Sequence, residues 1–264
     1  VHGQTDRVRF GIGAHASRAT VMTGNAVHAA AANVRALALK HAAVLMQSTV
    51  EALDIVDGNI VRKDSPNGPS ISLGQLSRQL SPGPEAIVRG TNGLSCEGWF
   101  HVEHMVYPYG IHLAVVRVDR DTGQVFVERY MVATDIGRAV NPMIVEGQIV
   151  GGVAQGLGGA LYEQFRYSDT GQPLSVNFAE YLIPTASEVP DVEVLISEEA
   201  PSPLNPLGIK GAGEGGCTGA GAAIASAVDA AIGVPGAITS LPITPPRLRA
   251  ILVNRRPDAA DARA

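Results

Sequence analysis

Six glycines, Gly147, Gly151, Gly152, Gly156, Gly158 and Gly159, fall inside a segment whose apolar residues Ile144, Ile149, Val153 and Leu157 keep roughly helical spacing. A glycine in a helix interior costs about 1 kcal/mol relative to alanine. A helix running from Asn141-Pro142 to about Glu163 that keeps six of them is therefore predicted to pack closely against backbone or ligand, where a Cβ has no room. The chain holds 30 glycines in 264 residues, and they cluster rather than scatter.

Two further clusters stand at predicted helix starts. A glycine-rich segment opening a helix presents unpaired N–H groups and the positive end of the helix dipole, which suits an anion. Gly11 to Thr20 is one such place, with Ser17, Arg18 and Thr20 as added donors and Gly13, Ala14, His15 and Ala16 as its backbone. Lys210 to Gly216 is the other, with Gly211 and Gly213. Asn141, Gln148 and Gln155 add amides able to hydrogen-bond a planar heterocycle. Together the three clusters suit a ligand with phosphates and a polar ring system. For one cluster alone, glycines that merely permit tight turns would be the simpler reading.

Nucleotide motifs fit poorly. Gly211, Gly213 and Gly216 copy the spacing of a dinucleotide fingerprint, but prolines precede them and the next acid, Asp229, lies inside the following helix. Gly11-Ile12-Gly13 followed by Ala16 imitates the glycine/alanine variant without the required downstream acid. Glu214, alone among glycines, is either a helix-start residue stabilised by the dipole or a base held beside a ligand, and both readings stay open. His101-Val102-Glu103-His104 lacks the four-residue spacing of a zinc helix and reads as ordinary histidines; His28 and His41 read as structural, and no metal ligand is assigned.

The net charge of −5 argues against a nucleic-acid surface. Two cysteines, Cys96 and Cys217, cannot by themselves ligate an iron–sulfur cluster and read as free thiols of a cytoplasmic protein. No signal peptide or membrane insertion is expected. Val1 in place of methionine reads as a fragment or trimmed subunit.

Along the chain, the pattern predicts an extended segment at 8–10, a long helix at about 20–47 and a hairpin around Asp57-Gly58. It also predicts a turn at 66–68, a helix at 73–80 and irregular structure over 81–96. Strands at 111–118 and 124–133 flank the turn Asp119 to Gly123, and another strand covers 192–196. Helices at 221–232 and 245–252 complete the set, and 255–264 reads as a polar tail. Mixed elements without βαβ regularity indicate an α+β fold, with mixed sheets and packed helices.

These motifs resemble the molybdenum hydroxylase family of xanthine dehydrogenase, aldehyde oxidase and carbon monoxide dehydrogenase large subunits. Gly11 to Ala26 resembles the segment that meets the pterin. Pro108-Tyr109-Gly110 with His112, then the Asp119 to Gly123 hairpin, resembles the strand pair that follows. Asp135-Ile136-Gly137 through Asn141-Pro142, Glu146-Gly147-Gln148 and Gln155 to Gly158 resembles the next cofactor-contacting stretch. Lys210-Gly211-Ala212-Gly213-Glu214 resembles the motif that carries the family's glutamate. The ordered set covers the chain to about Val253.

The resemblance implies that residues 1–254 are the C-terminal part of the molybdopterin-binding domain, as two intimately packed lobes. It implies a molybdenum–molybdopterin cofactor in the cytosine dinucleotide form, and Glu214 as the base that takes the proton from a metal-bound hydroxide. Lys210 would bias that carboxylate towards its charged form. Partners would be the upstream half of the domain, an iron–sulfur subunit and an FAD subunit. Asp135-Ile136-Gly137 has no cysteine where carbon monoxide dehydrogenases carry one after that aspartate. The continuation Glu214-Gly215-Gly216 resembles the branch acting on aldehydes or N-heteroaromatic molecules, hydroxylated with oxygen from water. The alternative is a non-catalytic cofactor-holding or assembly subunit of the same family.

Overall fold

The computed structural model describes residues 3–8, 10–11, 13–81 and 93–254. The expected polar tail 255–264 lies outside the described residues, as do Ile12 and most of the expected irregular stretch 81–96. The chain divides into two compact units. The second, residues 22–103, interrupts the first, which consists of residues 1–21 and 104–264.

The inserted unit takes most of α1 (Ala19–Leu45) and a small sheet of β1 (Leu53–Val56), β2 (Asn59–Arg62) and β3 (Ile71–Ser72), followed by α2 (Leu73–Leu80). β1 and β2 pair antiparallel around Asp57-Gly58, both with positive φ, as the turn residues predict. Ser72 caps α2 reciprocally: its hydroxyl accepts from Gln75 N–H while the Gln75 side chain accepts from the Ser72 N–H. The core of this unit joins Ala38, Leu39 and Ala42 of α1 to Leu53, Ile60 and Leu76.

The first unit is built on β4 (Tyr109–Val118), β5 (Val125–Asp135) and β6 (Val192–Ser197). β4 and β5 form the predicted hairpin, closed where Asp119 Oδ1 accepts from the N–H groups of Asp121 and Thr122. Those bonds, with that of the Thr122 hydroxyl, hold the Asp119 carboxyl below its ordinary range. β6 then pairs with β5 in parallel, Val132 opposite Val194. Its crossover carries α3 (Pro142–Leu161), so one βαβ unit exists where the sequence suggested none. The expected extended segment at 8–10 forms no strand in its described residues, because Gln4 O takes the N–H groups of both Arg7 and Val8 in a turn.

One sheet face is covered by α3, by the four-residue α4 (Gly215–Thr218) with α5 (Ala220–Ile232), and by α6 (Pro245–Asn254). Gly215–Ile232 is apolar enough by length and composition to cross a membrane. Its Ala220, Ile224, Val228 and Ile232 are nonetheless buried at four-residue spacing, as in a core helix. On the opposite face Tyr109, Ile111, Leu113 and Val115 of β4, Met131 of β5 and Leu195 of β6 are exposed.

The glycines of α3 divide by face. A Cβ on Gly152 would lie 2.9 Å from Gly216 Cα and Cys217 N, and one on Gly156 would collide with Ala220 Cβ. Gly147, Gly151 and Gly159 have open space there. Gly152→Ala is therefore expected to destabilise by about 1–3 kcal/mol through overpacking. Gly151→Ala should stabilise by up to about 1 kcal/mol through helix propensity. Thermal unfolding of the two variants checks this, and equal effects would refute the account of the interface.

Candidate active site

Asp135, the last residue of β5, starts the site. Its Oδ1 accepts from Gly137 N–H at 2.8 Å and its Oδ2 from Lys210 Nζ at 2.6 Å. The Lys210 and Asp135 side chains are only 9% and 20% exposed. Burial works against the charged form of Asp135, but Lys210 and the Gly137 N–H outweigh it and hold the carboxyl below its usual range. The backbone repeats the link: Lys210 N–H donates to Ile136 O, Arg138 N–H to Gly208 O, and Gly137 pairs with Ile209 as an isolated bridge. Buried Asn205 completes it, donating to Ile209 O and accepting from Ile209 N–H.

A second turn comes from the chain's beginning. Ala16 and Ser17 both have φ of 52°, and Arg18 N–H closes on His15 O. Two successive non-glycine residues in the left-handed region cost about 1–3 kcal/mol each. What the turn achieves is placement. Ser17 lies over Gly211, where a Cβ would sit 2.6 Å from that of Ser17. Its hydroxyl accepts from the Glu214 N–H at 2.9 Å and donates to Glu214 Oε2 at 3.1 Å. One serine thus fixes both backbone and carboxylate of Glu214, an exposed residue.

Between these turns and the start of α3 lies a cavity of about 440 Å³. Ala14, His15, Ser17, Arg18, Thr20, Asn141, Gln148, Lys210, Gly213 and Glu214 line it, all from the expected set. Gly13, Ala16, Gly211 and Gln155 do not. Ala16 and Gly211 serve the turn and its packing. Gln155 is exposed on α3, seven residues beyond Gln148 and so about 10 Å further along the axis. Asn141 caps α3, its Oδ1 accepting from Ile144 N–H, which leaves its NH₂ to donate.

Two expectations need correction. The start of α4 offers few free donors: Glu214 N–H goes to Ser17, Gly215 N–H to Ala212 O, and those of Cys217 and Thr218 to Glu214 O. Lys210 gives its charge to Asp135 rather than to Glu214. Sequence reasoning also missed Arg138, a second guanidinium in the lining, and the apolar wall of Ile136, Val140, Ile144, Val145 and Ile209. The position of Arg138, three residues before the helix-opening Asn141, was a usable signal for the first. The donor set (guanidinium groups, side-chain amides and an apolar wall) matches an anionic ligand with a flat polar ring system.

Residues 1–190 match the model of the molybdopterin cofactor-binding domain. The chain belongs to the molybdenum hydroxylase family. It is 38% identical over 248 residues to the 6-hydroxypseudooxynicotine dehydrogenase complex subunit gamma of Paenarthrobacter nicotinovorans, covering 94% of this chain and 31% of that one. The carbon monoxide dehydrogenase large chain of Hydrogenophaga pseudoflava is 34% identical, covering 80% and 26%. The solved quinoline 2-oxidoreductase of Pseudomonas putida 86 superposes with a TM-score of 0.78 at 33% identity, over 94% of this chain and 31% of that one. The chain spans less than a third of the length of these family members. The α+β architecture is the family's.

The Asp135–Lys210 link has a pH signature. A depressed carboxyl stabilises the fold above its unfolded pKa of about 4, and the gain is lost as pH falls through the folded value. The stability difference between the wild type and Asp135→Asn should be constant above about pH 5 and narrow below about pH 4. Denaturant unfolding across that range measures it; a difference independent of pH would refute the link.

Proposed function

We propose that this chain is part of the catalytic subunit of a molybdenum hydroxylase and that Glu214 is its general base. The observation that carries this reading is the double hold of Ser17 on Glu214 at the edge of the cavity. A helix-start carboxylate stabilised by the dipole would turn to its own N–H groups. Glu214 instead makes no side-chain cap bond to α4.

The proposed cofactor is molybdenum–molybdopterin in its cytosine dinucleotide form, and the cavity lining suits part of such a ligand. When bound, it supplies the redox centre that accepts the substrate's two electrons and delivers oxygen derived from water. Arg18 and Arg138 supply charge for phosphate, and Asn141 and Gln148 supply amides for the ring system. Glu214 takes up the proton released as oxygen is transferred. Its Oε1 has no hydrogen-bond partner among the described residues and is the atom assigned to receive it. Ser17, bonded to Oε2, keeps the carboxylate from rotating away during that transfer.

The substrate we propose is an aldehyde or N-heteroaromatic molecule, the latter in keeping with the nicotine-derived and quinoline substrates in the names of two relatives. Electrons would leave through iron–sulfur and FAD subunits. The relatives' names speak of a complex subunit and a large chain, which supports partners of some kind. The exposed row Tyr109, Ile111, Leu113 and Val115 is apolar surface of the sort buried in obligate interfaces. Leu113→Lys is expected to abolish recovery of the intact complex on co-purification, and unchanged recovery would remove that face from the interface.

Two substitutions test the base. Glu214→Gln should leave molybdenum content nearly unchanged and lower turnover by at least about 100-fold. Near-normal turnover would leave the non-catalytic, cofactor-holding reading in its place. Ser17→Gly relieves left-handed strain but also loses both hydrogen bonds to Glu214, so stability should change by less than about 1 kcal/mol, while kcat falls by roughly tenfold through loss of a hydrogen bond to a charged group. A variant equal to wild type in kcat would disprove the role given to Ser17.

A further inference from the structure

His112 lies on β4, half-buried on the face that packs against α4 and α5. Its Nδ1 is 2.9 Å from Tyr130 Oη and its Nε2 is 3.0 Å from the Gly215 carbonyl oxygen, one residue beyond Glu214. The Gly215 carbonyl can only accept, so Nε2 carries the proton and Nδ1 accepts from the Tyr130 hydroxyl. Tyr130 is suited to hold that arrangement. It is fully buried, it stands edge-on to the imidazole at a centroid distance of 5.9 Å, and burial first, with Cys217 second, pushes its phenol up to about 12. Burial outweighs the Gly215 bond and holds His112 below the ordinary histidine range, which favours the same neutral form.

The space for this ring is reserved. A Cβ on Gly219 would lie 2.8 Å from His112 Cγ and 2.9 Å from Nε2, so a side chain at 219 would force the ring to shift from this position. The four-residue α4 is too short to hold its own conformation, since a single helical turn is unstable without outside contacts. Ser17 grips the turn at Glu214, and His112 grips it from the sheet on the following residue.

We propose that His112 is a positioning residue: as the Nε2–H tautomer set by Tyr130, it donates to the Gly215 carbonyl and fixes the turn that aims Glu214. The proposal rests on Glu214 being the base. A merely structural role for the same ring, tying sheet to helix, would affect stability and cofactor loading rather than the catalytic step.

The test uses the assembled, cofactor-loaded complex with variants that separate the two ring nitrogens. A glutamine amide reaches the position of Nε2, whereas an asparagine amide reaches only that of Nδ1. His112→Asn should speed amide hydrogen exchange across 214–218 and lower kcat, each by about tenfold, with KM and molybdenum content near wild type. His112→Gln should bring both readouts back to within about threefold of wild type. Should His112→Asn fail to assemble, Tyr130→Phe, which removes only the hydroxyl that sets the tautomer, should show the same faster exchange to a smaller degree. Equal exchange in the Asn and Gln variants, or in Tyr130→Phe and wild type, would overturn the proposal. Faster exchange with unchanged kcat, alongside an inactive Glu214→Gln, would also overturn it while leaving the base reading intact. An active Glu214→Gln would instead remove the base reading, and the catalytic part of this proposal with it.

Discussion

A carboxylate on a glycine-rich turn has no intrinsic reason to point anywhere, and the site therefore depends on backbone packed directly against backbone. Gly152 lets α3 approach the backbone of Gly216 and Cys217, Gly156 makes room for Ala220, and a Cβ on Gly216 would collide with Ile149 O. Such contacts involve no rotamer freedom. Side chains between two helices can repack after a perturbation, but apposed backbones have nothing to rearrange. The turn bearing Glu214 thus starts from a fixed floor, and Ser17 and His112 have only the remaining freedom to remove.

Electrostatics serve the same end by separating charges. Lys210 is four residues from Glu214 in sequence, yet its ammonium is taken by Asp135 and lies 5.4 Å from the Tyr109 ring centroid. The lysine acts as a strut that joins the end of β5 to the loop before α4. The cavity keeps the two guanidinium groups of Arg18 and Arg138 in its lining. Strut and lining together leave Glu214 bonded to a neutral hydroxyl, which does not draw it into an ion pair.

How much of this was readable in the sequence follows from the range of each interaction. α2 was read with its observed bounds because its apolar positions, Leu76 and Leu80, fall one turn apart. The hairpins announced themselves through Asp57-Gly58 and through Asp119 to Gly123, since turn chemistry is local. The glycines of α3 foretold a close neighbour but not which face would meet it. The parallel pairing of β5 with β6 carried no local mark, because its partners come together only through a crossover. Lys210 was misread for the same reason: its partner is 75 residues away, whereas Glu214 stood temptingly near. Ser17 was recognised as a donor, but its acceptor was not. The resemblance to a known family implied which segments would meet a cofactor; it did not supply the contacts among them.

The span between Ser17 and Glu214 is 197 residues, and the inserted unit of residues 22–103 lies within it. Closing so long a loop is slow, since the entropy of bringing its ends together must be spent before any contact compensates it. The left-handed pair at Ala16 and Ser17 adds strain that only the finished structure can offset. The carboxylate's orientation therefore depends on a contact that cannot form until the chain has closed a loop containing the whole inserted unit. A chain synthesised only as far as α3 holds Ser17 but not Glu214, so the grip on that carboxylate can form only once residue 214 has been made and has returned to residue 17.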